Sequence, residues 1–229
     1  MDLKIDRIIK TKRRTIVLEV QLDSTLIVRA PIGASEEIIK EIIYKHQDWI
    51  EKKKKEAQVR NLEIRKRQFK SGESFLYLGK YYKLEIVESQ NLPLKLTDKF
   101  YLSKTYLPNA EHVFLGWYKG KVLEKISGRV EYYARENGYT YNKIKISNAC
   151  KRWGSCSIKG NLSFSWRLIM APPKIIDYVV VHELTHLMER NHSEAFWRKI
   201  ALLMPDYKEQ KKWLKENGHI LDFNLYRGD

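Results

Sequence analysis

The chain has very few cysteines and no long apolar segment. Cys150 and Cys156 are the only cysteines among its 229 residues, too few for a disulfide framework. No uninterrupted apolar run approaches the roughly 18 residues of a membrane-spanning helix. The first residues, MDLKIDRIIKTKRR, also lack the apolar core of a signal peptide. These absences argue against a disulfide-stapled secreted scaffold and against a membrane protein, and they predict a soluble, cytoplasmic protein.

Acidic residues are outnumbered by basic ones. The sequence has 43 Lys and Arg against 28 Asp and Glu, a formal net charge of +15. The positive charge occurs in four short runs: residues 10–14, 52–55, 65–67 and 208–212. Such runs are commonly solvated faces, although a positive surface also attracts polyanions. Because the usual fold motifs of nucleic-acid recognition are absent, nucleic acid is predicted only as a weak, non-specific partner.

Residues 1–106 are predicted to form a β-rich region with one helix. Ser35, which precedes two glutamates, indicates a capped helix start. Aromatic and branched residues on both sides of Gly79 indicate a hairpin over residues 75–87. Short alternating segments predict a small antiparallel meander at residues 3–5, 15–20 and 25–30.

Residues 107–229 are predicted to form a separate catalytic region. The apolar pattern of residues 111–136 predicts a long helix, and Gly138 suits its end. Segments Lys143–Ile146 and Leu162–Leu168 alternate as strands, with a loop between them, and predict a small antiparallel sheet. Together with the N-terminal region, these elements predict an α+β fold.

The most informative stretch contains His182-Glu183-x-x-His186 on a predicted helix that begins at Pro172-Pro173. Residues four apart lie on the same face of a helix, so both imidazoles can reach one metal ion. Glu183 lies about 100° around the helix from His182, which suits a general base acting on water. This is the arrangement of zinc hydrolases.

Apolar residues surround the motif almost completely, so the helix is predicted to be buried. Buried histidines and a buried glutamate are costly unless partnered, and a metal ion would supply that partner. The structural alternative is a pair of hydrogen-bonded core histidines with an exposed glutamate.

A third histidine, His192, follows His186 after five residues. Catalytic zinc sites take three ligands from the protein. Asn191 is predicted to end the helix in a left-handed conformation and so to turn His192 toward the same ion. Ser193 is predicted to cap the next helix. Glu194, Glu209 and Cys156 stay open as alternative third ligands.

Four segments in the C-terminal part of the chain resemble the YgjP-like zinc metallopeptidases, a family related to the SprT-like metalloproteases. They are RWGSCS (Arg152–Ser157), WRLIMAPP (Trp166–Pro173), DYVVVHELTHL (Asp177–Leu187) and NHSEAFW (Asn191–Trp197). The resemblance extends over nearly the whole chain and implies a zincin-like catalytic region. It also implies a Zn²⁺ ion bound by His182, His186 and His192, with Glu183 as the catalytic base.

The predicted function is therefore that of a zinc metalloendopeptidase that hydrolyses peptide or protein substrates. Arg152 is the candidate donor to the developing oxyanion. The strand Leu162–Trp166 is predicted to be an exposed edge that binds an extended substrate. Residues Trp153, Leu162 and Phe164 would then contact the substrate. An ordinary core strand is the alternative interpretation.

Two other functions stay open. The spacing of the three histidines is similar to that of Spartan-like proteases, which degrade proteins crosslinked to DNA, so a nucleic-acid-associated protease is one alternative. A non-enzymatic metal-binding module is the other. Nothing in the sequence specifies an oligomeric state.

Overall fold

The computed structural model describes residues 5–21, 24–65, 67–150, 152–221 and 226–227, and its elements confirm the α+β class. Contacts divide the chain into two compact units. One comprises Met1–Arg67 with Leu225–Asp229, and the other comprises Gln68–Asn224. The predicted division into an N-terminal region of residues 1–106 and a catalytic region of residues 107–229 stays a prediction.

The first unit contains a three-stranded sheet and two helices. Its strands are β1 (Arg7–Thr11), β2 (Val17–Val20) and β3 (Leu26–Pro31), followed by α1 (Glu36–Lys45) and α2 (Gln47–Glu63). A two-residue strand, β4 (Ile64–Arg65), pairs with a C-terminal one described last. Alternate residues of β3 are buried against the helices, because side chains point to opposite faces of a strand.

The predicted meander is confirmed for β2 and β3, which pair antiparallel, and is wrong for the first strand. The sheet order is β1-β3-β2, and β1 runs parallel to β3. The first predicted strand begins at Leu3, outside the described residues, and β1 lies further along the chain than the predicted residues 3–5. Alternation of apolar residues tells which face is buried, but it does not tell which strands pair or in which direction. The predicted cap is confirmed, since the Ile38 amide donates to Ser35 Oγ at 3.4 Å.

The second unit begins with a four-stranded sheet. Its strands are β5 (Ser74–Tyr77), β6 (Lys80–Val87), β7 (Leu94–Leu96) and β8 (Phe100–Ser103), in the order β5-β6-β8-β7. The predicted hairpin is confirmed as β5 and β6. Its turn residues Leu78 and Gly79 have φ values of 48° and 80°, as a type I′ turn requires. Their amides donate to the carbonyls of Ile169 and Met170, which lie just before the motif helix.

A long helix, α3 (Ala110–Asn137), forms the centre of the second unit. Its residues Phe114, Tyr118, Val122, Ile126 and Val130 are fully buried at helical spacing. Gly138 ends the helix in a left-handed conformation, with φ of 65°, as predicted.

The remaining elements build the site. They are β9 (Lys143–Ser147), β10 (Gly154–Cys156), β11 (Asn161–Ser165), α4 (Pro173–Thr185), α5 (Glu194–Leu203) and α6 (Tyr207–Asn217). The last strand, β12 (Tyr226–Arg227), belongs to the first unit, where it pairs with β4. The sheet order is β10-β11-β9. Here β11 pairs antiparallel with β10 but parallel with β9, so this sheet is mixed. No helix in the described part of the chain is long and apolar enough to cross a membrane.

The hairpin turn packs directly on the start of the motif helix. A Cβ added at Gly79 would lie 2.9 Å from Pro172 Cγ and 3.1 Å from Pro172 Cα, whereas one at Gly72 would meet nothing within 4 Å. Both glycines have positive φ. We expect Gly79→Ala to lower the free energy of unfolding by about 2–5 kcal/mol, from left-handed strain plus overpacking. Gly72→Ala should lower the free energy of unfolding by only about 1–2 kcal/mol, from left-handed strain alone. Equal losses in urea denaturation would show that the Pro172 contact contributes nothing.

Candidate metal centre and active site

The helix α4 presents the motif from a buried position. Its body packs against α3, α5, α6 and β10, and residues such as Ile176, Val180 and Leu184 are fully buried. Arg129 on α3 makes a bidentate ion pair with Asp177 on α4, at 2.6 and 3.0 Å. A planar guanidinium held by two hydrogen bonds fixes orientation as well as distance. The rotation of α4 about its axis is therefore constrained from outside the motif.

The helix ends earlier than predicted. It stops at Thr185, and His186 is its C-cap with helical φ and ψ of −64° and −14°. The amides of Leu187 and Met188 then bond to carbonyls three residues back, which tightens the last turn. Asn191 is not among the residues of the described chain with positive φ, so the left-handed turn predicted there is wrong.

Three imidazoles converge on one point beyond this turn. One ring nitrogen each from His182, His186 and His192 lies within 4.8 Å of the others. The Nε2 atoms of His182 and His192 are 3.0 Å apart. The Nδ1 atom of His186 lies 3.0 Å from the carbonyl oxygen of Glu189, an acceptor that holds the proton on Nδ1 and leaves Nε2 free to coordinate.

The donor set suits a divalent metal ion. Burial, followed by the nearby positive charges of His186, His192 and Lys211, lowers the pKa of His182 to about 3, so its imidazole is neutral. The buried Nδ1 of His182 has no hydrogen-bond partner among the described residues. Three imidazoles whose ring nitrogens converge form a donor set typical of zinc.

Phe196 and Trp197 hold the histidine rings from behind. Ser193 Oγ accepts from the Phe196 amide at 3.3 Å, which confirms the predicted cap of α5. The fully buried Phe196 ring lies within 5.0 Å of all three imidazoles, centroid to centroid. The Trp197 ring stacks on the His192 ring with 5.6 Å between centroids. Lys211 Nζ lies 3.9 Å from the centroid of the Trp197 ring. This packing restricts the imidazole orientations before any ion binds.

Glu183 lies beside the histidines in a confined space. Only 5% of the residue is exposed, and its Oε2 atom has no hydrogen-bond partner in the described structure. Burial raises the pKa of its carboxyl to about 8, against the opposing effect of the Arg152 charge. A Cβ at Gly154 would come within 2.5 Å of Glu183 Oε1, so only glycine leaves room for the carboxylate against β10.

Comparison with known families matches residues 14–217 to the YgjP-like metallopeptidase domain. The chain belongs to the YgjP-like metallopeptidase family. Membership makes it a metallopeptidase, which holds a metal ion and acts on peptides or proteins.

Two further comparisons add little to the family match. A crystal structure of the metallopeptidase zymogen abylysin from Pyrococcus abyssi is similar at 21% identity, with a TM-score of 0.37. The match covers 41% of this chain and 95% of that one, and a likeness at this level does not establish a shared fold. No curated protein sequence matches the chain.

The predicted edge strand is wrong. Within the described sheet β11 is central, and Leu162 and Phe164 are fully buried in the hydrophobic core. The edge strand beside the site is β10, which pairs only with β11 in the described sheet and whose Gly154 packs against Glu183. Trp153, by contrast, lies in the lining of the cavity next to Glu183. Arg152 is exposed, with its charge acting on the Glu183 carboxyl.

The alternative third ligands lie outside the histidine group. Cys156 Sγ is 3.7 Å from Arg190 Nη1, and burial raises the pKa of its thiol. Glu194 is 3.9 Å from Arg198, and Glu209 is exposed. None of the three belongs to the group of converging ligand atoms in the described chain.

Sequence reasoning missed three residues that shape this site. Arg190 donates to the carbonyls of Ser157 and Ile158 and so ties the loop that carries His192 to the β10–β11 turn. Tyr178 and Leu214 line the cavity beside Glu183. Tyr178 could have been found, since it precedes His182 by one helical turn. Arg190 and Leu214 reach the site through tertiary contacts that leave no pattern in the sequence.

The convergence of the histidines predicts how metal binding depends on each. We expect His192→Ala to weaken zinc binding at least about 100-fold, since it removes one of three protein ligands. His112→Ala, an exposed histidine on α3, is the matched control and should bind zinc as the parent does. Competition against a chelator with a coloured zinc complex would measure both affinities. Unchanged zinc affinity in His192→Ala would remove His192 from the ligand set.

Proposed function

We propose that the chain is a zinc-dependent endopeptidase, with zinc held by His182, His186 and His192. The observation that carries this proposal is the placement of a confined carboxylate, Glu183, beside three converging imidazole nitrogens and next to a cavity. The family match supports peptide-bond hydrolysis by a metal-dependent route. The resemblance in the motif supports the individual roles.

When bound, zinc supplies a Lewis acid that acidifies water and polarises the substrate carbonyl. Glu183 acts as the general base in its ionised form. Burial raises the pKa of this carboxyl to about 8, and the positive charge of a bound metal ion would favour the ionised form. The Glu183 carboxylate takes a proton from the attacking water and passes it to the nitrogen of the leaving amine. The absence of a side chain at Gly154 matters here, because it lets the carboxylate lie against β10 without being displaced.

Arg152 and β10 are the groups that we propose to interact with the substrate. The exposed guanidinium of Arg152 acts electrostatically on Glu183, and this proximity supports a role for its charge in stabilising a developing oxyanion. In the described sheet, β10 is paired with β11 on one side only. An extended substrate would pair with its other edge, a common mode of peptide recognition. We therefore assign to Gly154–Cys156 the binding of the substrate backbone that was predicted for Leu162–Trp166.

Replacing the general base should separate chemistry from metal binding. We expect Glu183→Gln to keep the fold and bind zinc while hydrolysis falls by about 100- to 10,000-fold or more, the usual contribution of a general base. Initial rates on fluorogenic peptides, with zinc content measured on the same samples, would test it. The control is Glu194→Gln on α5, an exposed side chain outside the ligand group, which should hydrolyse peptides at the parental rate.

Three outcomes are informative. Parental turnover in Glu183→Gln would exclude Glu183 as the base. Loss of hydrolysis in Glu194→Gln as well would point to a general effect on α5. A zinc-loaded parent that hydrolyses no peptide would favour the non-enzymatic metal-binding module.

The net charge of +15 supports a second property, weak binding of nucleic acid that would bring the peptidase to DNA-bound proteins. We expect the dissociation constant for double-stranded DNA to rise about 40-fold from about 50 to 200 mM salt, as for roughly three phosphate contacts. Reversing the exposed Lys52 and Lys55 together to glutamate should weaken binding. Fluorescence anisotropy measures both. If the protein does not bind DNA at low salt, the proposed nucleic-acid binding is wrong and the net positive charge serves solubility alone.

A further inference from the structure

A cavity of about 220 Å³ opens directly beside the proposed catalytic groups. His182 and Glu183 form one end of it. The other lining residues come from three separate segments: Trp153 and Gly154 at the start of β10, Tyr178 and Val179 on α4, and Leu214 on α6. A substrate whose scissile bond lies at Glu183 would therefore have a neighbouring side chain at the mouth of this cavity.

The chemistry of the walls favours an uncharged occupant. Trp153, Val179 and Leu214 are apolar, and Tyr178 adds a single hydroxyl group to them. The ionisable groups in the lining other than Tyr178 are His182 and Glu183, which the proposed chemistry already uses. A charged side chain entering this space would lose its hydration without gaining an ion-pair partner of its own. An apolar side chain would gain from leaving water.

The size of the cavity favours a bulky occupant. Its volume equals that of about seven molecules of liquid water, at ~30 Å³ each, so a branched or aromatic side chain fits. An alanine side chain would leave most of the space unfilled, and unfilled apolar space forfeits contact energy.

The walls are held in place by their own packing. A Cβ at Gly218, just beyond α6, would lie 2.9 Å from Trp153 Cζ2, so the indole ring rests on the backbone there. Val179 is on the buried helix α4, next to the Asp177 that Arg129 holds. A preformed pocket of this kind discriminates by size, because its walls do not collapse around a small occupant.

We propose that this cavity is the specificity pocket for the residue beside the scissile bond and that it selects bulky, uncharged apolar side chains. Leu214 of α6 determines its depth. The identity of the occupant as a peptide side chain rests on the proposed function.

The test compares peptides that differ only in one residue beside the scissile bond: Leu, Phe, Ala or Asp. For the parent, kcat/KM should be at least about tenfold higher with Leu or Phe than with Ala, and lowest with Asp, since each methylene in such a pocket is worth about tenfold or more. Leu214→Trp, which fills the pocket, should remove the preference for Leu and Phe. Leu214→Ala, which enlarges it, should shift the preference toward the larger Phe.

The matched controls are Leu202→Trp and Leu202→Ala on α5. Leu202 is 82% exposed and lies outside the cavity, so both variants should keep the parental preference. Zinc content and melting temperature of every variant establish that the protein is folded. Because Leu214 is only half-buried, both of its substitutions are expected to fold.

A second measurement is independent of turnover. Dissociation constants of dye-labelled Leu, Phe and Ala peptides for zinc-loaded Glu183→Gln protein should follow the same order, and Leu214→Trp in that background should abolish the order. The parent could hydrolyse peptides without a side-chain preference, or with a preference that neither Leu214 variant changes. Either result would overturn the pocket assignment and leave the proposed peptidase function intact. If nothing is hydrolysed but binding depends on side-chain size and on Leu214, the pocket stands and the proposed function fails. If neither occurs, both are wrong.

Discussion

The burial of α4 is the constraint on which the site depends. A helix enclosed by α3, α5, α6 and β10 leaves its histidines and glutamate little water to bind, so each polar group needs a partner or an assigned role. His186 is satisfied by the Glu189 carbonyl, whereas His182 and Glu183 keep buried atoms without a partner among the described residues. The converging histidine nitrogens would bind a metal ion, and the unpartnered oxygen of Glu183 is the atom that the proposed chemistry uses.

The elements around α4 each contribute a different property. The hairpin turn at Gly79 packs on Pro172, and Arg129 forms an ion pair with Asp177. These contacts hold α4 in place near its N-terminus. α5 supplies the aromatic packing behind the imidazoles, and β10 supplies the glycine that admits the carboxylate. α6 closes the cavity with Leu214. The ligand geometry, the base and the cavity thus depend on different neighbouring elements, although His182 and Glu183 also line the cavity.

Local patterns predicted the local features well. The Ser35 and Ser193 caps, the hairpin and the long helix that stops at Gly138 all depend on contacts within a few residues. The predicted pairing of the first strand, the antiparallel arrangement of β9 with β11 and the edge role of β11 failed because strand partners are chosen by the whole sheet. The antiparallel pair of β2 and β3 was predicted correctly. The turn before His192 was placed wrongly at Asn191, although His192 does approach His182. Hydrogen bonds around Thr185 and Glu189, rather than one left-handed residue, shape that loop.

The spacing of His182, Glu183 and His186 needed no tertiary information, because the helical period alone puts two imidazoles on one face and the carboxylate beside them. Tertiary structure decided what that helix faces. It brought Gly154 against Glu183, made β10 rather than β11 the edge strand, and brought Leu214 and Trp153 into the lining of one cavity. These residues are far apart in the chain, and their proximity follows from how buried surfaces pack, which no short pattern encodes.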